Sequence, residues 1–390
     1  MAVTNRINKT TALSALTLSA TAISSGAQAM AVPEKKQVSV RVTNYQEQPL
    51  PETRLAGGST ERYGINVLQF SYFTPVAGQY SVMTTAQYEK LSGASPYGSA
   101  ENADGQTEVL MSGATIDEQR LDASVTGTRY FKSGTLASGL AVSTENDYQS
   151  VALSLDGSLE IFDKHTTLMA SVSTSFDTLS PTGPKIGTRA EADGETKRSV
   201  SWYEGVTQVI DKYSTVQVGV GYTRLWGYLS DPYKGDSRPD SREQYTVSAQ
   251  YRRFLSDFDS ALHLDYRLYQ DDWGVISNTL SGSTWTDVNV FGQRIMLSPN
   301  VRYYWQHAAD FYTVKATTDE HFSSDYRLSA YGAINFGLDA QWHHKDYVYT
   351  IGVNQYLSAE SWGLTGGQDT ETPSLVNFTT ISFGVDYKFK

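Results

Sequence analysis

The last segment of the chain, residues 379–390, reads TTISFGVDYKFK and decides the fold. Its odd-numbered and even-numbered positions differ in character, with Ile381, Phe383, Val385, Tyr387 and Phe389 alternating with Ser382, Gly384, Asp386 and Lys388. Successive side chains of a strand point to opposite faces, so this segment has one apolar, aromatic-rich face and one polar face. Such a strand either covers a soluble core or faces lipid in a membrane barrel. The rest of the chain distinguishes these two interpretations.

The first 29 residues have the organisation of a secretory signal peptide. Arg6 and Lys9 precede a short, moderately apolar run, and Ala27, Gln28 and Ala29 form a small-residue cleavage motif. The run is too short and too rich in Ser and Thr to favour a retained membrane helix. We therefore expect a signal peptide over residues 1–29 and one domain over residues 30–390.

The composition excludes several classes of protein. Removing the signal peptide leaves 29 basic and 42 acidic residues, a formal charge of −13, which argues against nucleic acid as a partner. The chain has no cysteine, so it has no disulfides, thiolate metal sites or thiol nucleophiles. The mean hydropathy is −0.38, and no apolar run is long enough for a membrane helix. A membrane barrel fits this composition because only alternate residues face lipid.

Alternating segments of about ten residues recur from residue 37 onward. We count sixteen, with fourteen as the alternative, at residues 37–46, 62–73, 79–90, 119–131, 135–145, 147–161, 166–177, 199–210, 214–226, 243–255, 260–270, 286–297, 300–311, 326–342, 347–357 and 377–389. Short connections, such as SPN at 298–300, alternate with long ones, such as 271–285, with one short exception near Glu145. A propeller or double sandwich gives no reason for this alternation, and no blade repeat is visible.

Tight turns at one rim and long loops at the other are typical of bacterial outer-membrane proteins. The sequence therefore predicts an all-β fold, a single transmembrane antiparallel up-and-down β-barrel of about sixteen strands. Its short turns would be periplasmic and its long loops extracellular. The expected location is the outer membrane of a Gram-negative bacterium, with outer-membrane lipid around the barrel.

Strand parity predicts which charged side chains face the lumen. In residues 260–270, Leu264 and Tyr266 alternate with Asp265 and Arg267, and a basic residue at mid-depth on the lipid face would cost roughly 2–4 kcal/mol. The charged set must face inward. The lumen-facing candidates are Arg252, His263, Asp265, Arg267, Arg302, Arg327, Asp339 and Asp386. They would either brace the wall as Arg–carboxylate pairs or orient and filter a solute.

Other chemistry is weakly supported by the sequence. His263 and Asp265 are neighbours on one strand face, which allows a hydrolytic dyad but fits a structural role better, and we predict no enzymatic activity. The acidic loop residues lack the glycine-centred spacing of a calcium loop, and no glycine-rich phosphate loop is present. We predict no metal and no cofactor. The candidates at the outer rim join acidic, rigid and aromatic groups: Asp231, Tyr233, Asp271, Asp272 and Trp273.

Several local strings go beyond the general pattern of a barrel. They are LSGASPYGSA at 91–100, STENDYQS at 143–150, HTTL at 165–168, DTLSPTG at 177–183, GYLSDPYK at 227–234, YRLYQDDWGVIS at 266–277 and VRYYWQHAADFY at 301–312. In this order they closely resemble the Gram-negative family catalogued as domain of unknown function 3570. The resemblance spans almost the whole mature chain. It implies an outer-membrane-like fold, no assigned reaction, and a redox or export context.

Two functions remain open from the sequence. The first is a porin-like channel for small hydrophilic solutes, because about sixteen strands leave room for an aqueous lumen. The second is a non-conducting barrel that anchors or houses a periplasmic or surface partner, which the long loops and the rim residues favour. The oligomeric state is not determined by either hypothesis.

Overall fold

A computed structural model describes residues 32–113, 116–314, 317–364 and 372–390, so the predicted signal peptide lies outside the described residues. Sixteen strands close into one antiparallel barrel. The barrel strands are β1 Lys36–Glu47, β3 Gly64–Val76, β4 Tyr80–Gly93, β7 Ile116–Phe131, β8 Gly134–Glu145, β9 Tyr148–Ile161, β10 Thr166–Leu179, β11 Thr196–Asp211, β12 Ser214–Gly227, β13 Ser241–Leu255, β14 Ser260–Asp271, β15 Ile276–Val290, β16 Gln293–Gln306, β17 Tyr331–His344, β18 Tyr347–Ala359 and β19 Phe378–Phe389. The predicted barrel and its strand number are confirmed.

The terminal segment is the strand that closes the barrel. β19 pairs with β1 along its full length, from Lys36 opposite Phe389 to Glu47 opposite Phe378. The other barrel strands pair with their barrel neighbours in chain order. Closure leaves no strand edge unpaired, which is the condition for a sheet that crosses hydrocarbon.

The outward face of the barrel is largely apolar. Leu264 is 41% exposed, Ile381 52% and Phe383 49% in the isolated chain. Their chain neighbours Asp265 and Ser382 point to the opposite face because strand side chains alternate. The exposed apolar belt is therefore the surface that lipid would cover.

Seven connections of two to four residues join strands at one end, the short-turn end. Phe291 and Gly292 connect β15 to β16 with φ values of 51° and 76°, as a two-residue hairpin turn requires. The predicted turn at 298–300 is wrong, because those residues lie inside β16. Pro299 has no N–H to donate to a neighbouring strand. It lies where the pairing between β15 and β16 is interrupted, between the Ser283–Asn300 pair and the Thr286–Leu297 pair.

The opposite, long-loop end carries eight connections, which we call L1 to L8: residues 48–63, 94–115, 146–147, 180–195, 228–240, 272–275, 307–330 and 360–377. L3 is the short exception that the sequence indicates near Glu145. The predicted long connection at 271–285 is wrong, because β15 begins at Ile276 and leaves only four residues in L6. No helix among the described residues is long and apolar enough to cross a membrane.

The hydrophobic core lies at the long-loop end. One buried cluster joins L5, L6 and L7 through Leu229, Trp273, Tyr312 and neighbouring residues. Another joins L1 to L2 through Leu50, Ala94, Val109 and Met111. The same two loops carry a small sheet of β2 Leu55–Gly57, β5 Pro96–Glu101 and β6 Thr107–Met111. The long loops therefore pack as a unit with a core of its own.

Candidate functional site

The long loops contact one another across the mouth of the barrel. Ser99 in L2 donates a hydrogen bond of 2.6 Å to the backbone oxygen of Val314 in L7. Arg62 in L1 donates one of 3.3 Å to the backbone oxygen of Ser374 in L8. L2 and L7 leave the barrel at well-separated positions around its circumference. The described residues of L1, L2 and L4 to L8, which we call the cap, therefore span the mouth at the long-loop end.

A buried ion cluster fastens L5 to L7. Asp325, 1% exposed, accepts hydrogen bonds from Nε of Arg327 at 2.7 Å and from Nη2 of Arg238 at 3.0 Å, and Nζ of Lys234 lies 3.4 Å away. Arg238 also pairs with Asp236 at 2.6 Å. A buried charge is costly unless it is paired and hydrogen-bonded. Asp325 is thus the common partner of three cations.

The charge states in this cluster follow from burial and from the neighbouring charges. Burial favours a raised pKa for Asp325, but Arg327, Lys234 and Arg238 together hold this pKa well below its ordinary value. Burial lowers the pKa of Lys234 and raises the pKa of Asp236. The cluster therefore keeps Asp325 ionised at neutral pH, as its three basic partners require.

A cavity of about 290 Å³ lies within the cap, between L2, L4 and L5. Its lining combines two cations, one carboxylate, aromatic rings and small or apolar groups, namely Arg189, Lys234, Asp231, Tyr97, Tyr233, Ser95, Ser112, Pro96 and Ile116. Asp231 is fully buried. Its Oδ1 accepts the backbone N–H of Tyr233 at 3.0 Å, whereas its Oδ2 has no hydrogen-bond partner among the described residues. The cavity thus contains an acceptor that the protein leaves unused.

An acidic group lies next to this cavity, at the rim of the barrel wall. Carboxylate oxygens of Glu118, Glu145 and Asp147 lie within 4.8 Å of one another. Tyr233, which lines the cavity, donates a hydrogen bond of 2.5 Å to Asp147. Arg120 lies 3.6 Å from Glu145 and offsets part of the negative charge. Among the described residues, this is the one group whose donor set and spacing could hold a metal ion.

Seven of the eight lumen-facing candidates lie on strands β13, β14, β16, β17 and β19. Arg252 and Asp265 form an ion pair of 2.6 Å between β13 and β14. Asp265 and Arg302 both pair in register with Ser281, so they flank β15, and Arg267 is close enough to Arg302 for their charges to interact. The two remaining strand carboxylates are near amides, with Asp339 3.5 Å from Asn300 and Asp386 3.4 Å from Gln37.

His263 is not brought into a dyad. It lies opposite Arg252 in the register between β13 and β14, and its ring centroid is 6.1 Å from that of Trp285. Within the described part of the chain, the ion pair of Asp265 is with Arg252, and no hydrogen bond joins Asp265 to His263. The arrangement lacks the contact that orients a catalytic base.

One lumen candidate needs correction. The parity of the predicted strand 326–342 places Arg327 in the lumen wall. In the structure β17 begins at Tyr331, and Arg327 lies in a short 3-10 turn, Tyr326–Leu328, within L7. Asp325 begins this turn, and its side chain accepts the backbone N–H of Arg327. A turn inside a long loop breaks the two-residue period on which parity depends.

The rim candidates in L6 build a tight turn. Asp271 accepts the backbone N–H groups of Trp273 and Val275 at 3.1 and 2.9 Å and pairs with Arg242. Asp272 accepts the backbone N–H of Glu243 at 2.9 Å. The Trp273 indole donates to the backbone oxygen of Ser241 at 2.8 Å. These three residues fix L6 to β13, whereas Asp231 and Tyr233 line the cavity.

Sequence reasoning missed Asp325, Lys234, Arg238 and Arg189. The string GYLSDPYK includes Lys234, but its partner Asp325 is about ninety positions along the chain. Only the packing of L5 against L7 brings them together. A charged residue beside Pro and Tyr in a long loop was the available signal, and it did not specify a partner.

The family resemblance rests on strings that lie mainly where strands run into the long loops, and a family profile tests it. A profile of the family described as "Protein of unknown function (DUF3570)" matches residues 8–378. The chain belongs to this family. The resemblance seen in the sequence is confirmed, and DUF3570 membership assigns no activity. No curated protein matches the chain.

Solved structures similar to this DUF3570 member are outer-membrane barrels. One described as a bacterial polysaccharide outer membrane secretin has a TM-score of 0.52 at 9% identity, covering 91% of this chain and 98% of that chain. OccD3 (OpdP) of Pseudomonas aeruginosa has a TM-score of 0.41 at 9% identity, with 94% of each chain covered. The siderophore receptor PirA of Pseudomonas aeruginosa has 0.43 at 9% identity, covering 82% of this chain and 56% of PirA. Identities this low concern the fold alone.

Proposed function

We propose that this protein is an outer-membrane channel for small hydrophilic solutes whose outer mouth is controlled by the cap. In this arrangement the short turns are periplasmic and the cap is extracellular. The observation that carries the proposal is the polar wall of the lumen beneath the cap. All four buried hydrophobic clusters among the described residues lie at the long-loop end, so no apolar core fills the middle of the barrel.

The wall of the lumen carries hydroxyl groups and charges of both signs. On the side of β4 to β12, hydroxyl groups bond to one another between strands, as in Thr85 with Ser124 at 2.7 Å and Ser175 with Ser199 at 2.8 Å. The opposite half carries the Arg252–Asp265 pair and the guanidinium groups of Arg267 and Arg302. The β4 to β12 side also carries an ion pair, Arg120 with Asp122 at 2.9 Å. A lumen lined with hydroxyls and with both signs of charge suits hydrated solutes. Barrels of sixteen strands are wide enough for an aqueous channel.

Planar-bilayer recording tests this proposal with a variant that loosens the cap. Asp325→Asn removes the charge that compensates Lys234, Arg238 and Arg327, so we expect larger or more frequent conductance steps than in the wild type. Asp319→Asn is the matched control, because Asp319 is an exposed residue of the same loop and should behave as the wild type. Arg238→Gln is a second variant that weakens the same cluster.

The conductance results separate the two candidate functions. If the wild type, Asp325→Asn and Arg238→Gln all fold into heat-resistant barrels and none conducts, the channel proposal fails. The second candidate is a non-conducting barrel that anchors or houses a partner, and the packing of the cap across the mouth favours it. We propose no hydrolytic role for His263 and Asp265, because no hydrogen bond joins their side chains among the described residues.

A further inference from the structure

The cavity in the cap is lined by two groups of opposite charge, Asp231 and Arg189, that form no ion pair within 4 Å among the described residues. Asp231 is fully buried, with Oδ2 lacking a hydrogen-bond partner among the described residues. The guanidinium of Arg189 lies over the ring of Tyr233, 5.2 Å from its centroid, and no described carboxylate pairs with it. A buried carboxylate oxygen without a donor costs free energy in the empty protein. Both groups line the same cavity.

The remaining cation of the cavity is already engaged. Lys234 lies 3.4 Å from Asp325 within the ion cluster. Asp231 is held in place by the N–H of Tyr233, and its own backbone N–H donates to Asp236 at 2.9 Å. The carboxylate is thus fixed in the wall, near enough to Lys234 for their charges to interact, while its Oδ2 accepts no hydrogen bond from the described residues. Arg189 offers the planar fork of donors that matches a carboxylate.

Charge complementarity restricts the ligand. A metal ion or an amine alone would bind Asp231 but would meet Arg189 and Lys234. An anion alone would pair with Arg189 but would meet the buried Asp231. A molecule that carries an ammonium and a carboxylate satisfies both groups. The aromatic and apolar lining from Tyr97, Pro96 and Ile116 would accommodate an aliphatic side chain.

We propose that the cap cavity is a binding site for a small zwitterion of the amino-acid class, whose ammonium donates to Asp231 and whose carboxylate pairs with Arg189. The volume of about 290 Å³ is at the lower end of the range for small-molecule sites, roughly 300–1,000 Å³. The ligand is therefore smaller than a typical drug molecule. Binding at this site does not depend on conduction through the lumen.

Isothermal titration calorimetry of the folded barrel in detergent tests the proposal with three matched probes. L-leucine carries both charges, isocaproate lacks the ammonium, and isoamylamine lacks the carboxylate. We expect L-leucine to bind about tenfold or more tightly than either comparator, since each lost charge-assisted hydrogen bond weakens binding by about that factor. Glucose, a neutral polyol, should not bind.

Two variants assign the binding to this cavity. Asp231→Asn keeps the oxygen that accepts the Tyr233 N–H and replaces the unused oxygen with an amide. It should weaken L-leucine binding about tenfold or more, whereas isocaproate, which has no ammonium and is repelled by Asp231, should bind at least as tightly as to the wild type. Arg189→Gln should weaken both. Asp240→Asn, at an exposed position of the same loop, should have no effect.

Several results would overturn the assignment. They are no binding of L-leucine by the wild type, equal affinity for isocaproate or glucose, or wild-type affinity in a folded Asp231→Asn barrel. If Asp231→Asn does not fold, Arg189→Gln carries the test, because Arg189 is partly exposed and pairs with no described carboxylate. Wild-type affinity in that variant would also overturn the proposal.

Discussion

At the scale of single residues, the buried carboxylate of Asp325 has a central electrostatic role in the cap. Three basic side chains depend on its carboxylate, and removing one partner of a buried ion pair typically costs about 3–5 kcal/mol. The contribution depends on pH. Because the pKa of Asp325 is lower in the folded protein than in the unfolded chain, its stabilisation is present above the unfolded pKa of about 4. It is lost as the pH falls toward the folded pKa.

We therefore predict the pH dependence of the difference in cap stability between the wild type and Asp325→Asn. The difference in hydrogen-exchange protection of L5 and L7, corrected for intrinsic exchange, should stay constant from pH 7 to about pH 4 and shrink below it. Asp236, whose pKa burial raises, shares Arg238 with Asp325, so both proteins are compared in an Asp236→Asn background in which this group does not titrate. A difference that already shrinks near pH 6 would show that another group controls the cluster.

At the scale of the elements, the sequence predicted the strands well and the loop interactions poorly. A strand that faces lipid on one side and water on the other has a strict two-residue period, so β14 and β19 could be read directly. The predicted twelfth and thirteenth strands differ in position from β15 and β16, because Ser298, Pro299 and Asn300 have the composition of a turn. In the structure Pro299 lies inside β16, where the ladder with β15 is interrupted. The sequence does not predict the ion cluster, because Lys234 and Asp325 come into contact only when L5 packs on L7.

Exposure of one strand face to lipid can be tested by placing a charged residue at two different depths in the bilayer. Leu264 and Val290 are exposed to similar extents in the isolated chain, 41% and 37%, but Val290 ends β15 beside the turn. In a bilayer, Leu264→Arg should reduce the free energy of unfolding by about 2–4 kcal/mol and Val290→Arg by about 0–1 kcal/mol. Urea titration of the barrel in lipid vesicles measures both. Equal, small effects would indicate that water, rather than lipid, surrounds this face.

At the scale of the whole molecule, the barrel and the cap have different sources of stability. The wall is stabilised by a closed hydrogen-bond ladder, and its outward apolar side chains gain their burial from lipid. The cap is stabilised by its own apolar clusters and by buried ion pairs between loops. Opening the mouth therefore needs only contacts between loops to break, while the sixteen strands remain paired.

A reversible cross-link tests this separation. Ser237 in L5 and Phe322 in L7 exchange backbone hydrogen bonds of 2.9 and 2.8 Å, and opposite residues in such a pair have Cα atoms about 5.5 Å apart, within the range of a disulfide. The chain has no cysteine, so a Ser237→Cys, Phe322→Cys double variant forms no competing disulfide within the chain. The covalent link keeps L5 against L7 for as long as it is oxidised. The oxidised barrel should show fewer conductance steps than the same barrel after reduction, and the conductance of each single variant should be unaffected by the reductant.

Equal conductance in the two redox states would mean that solutes pass without separating L5 from L7. It would place the controlling contact between L2 and its neighbours instead.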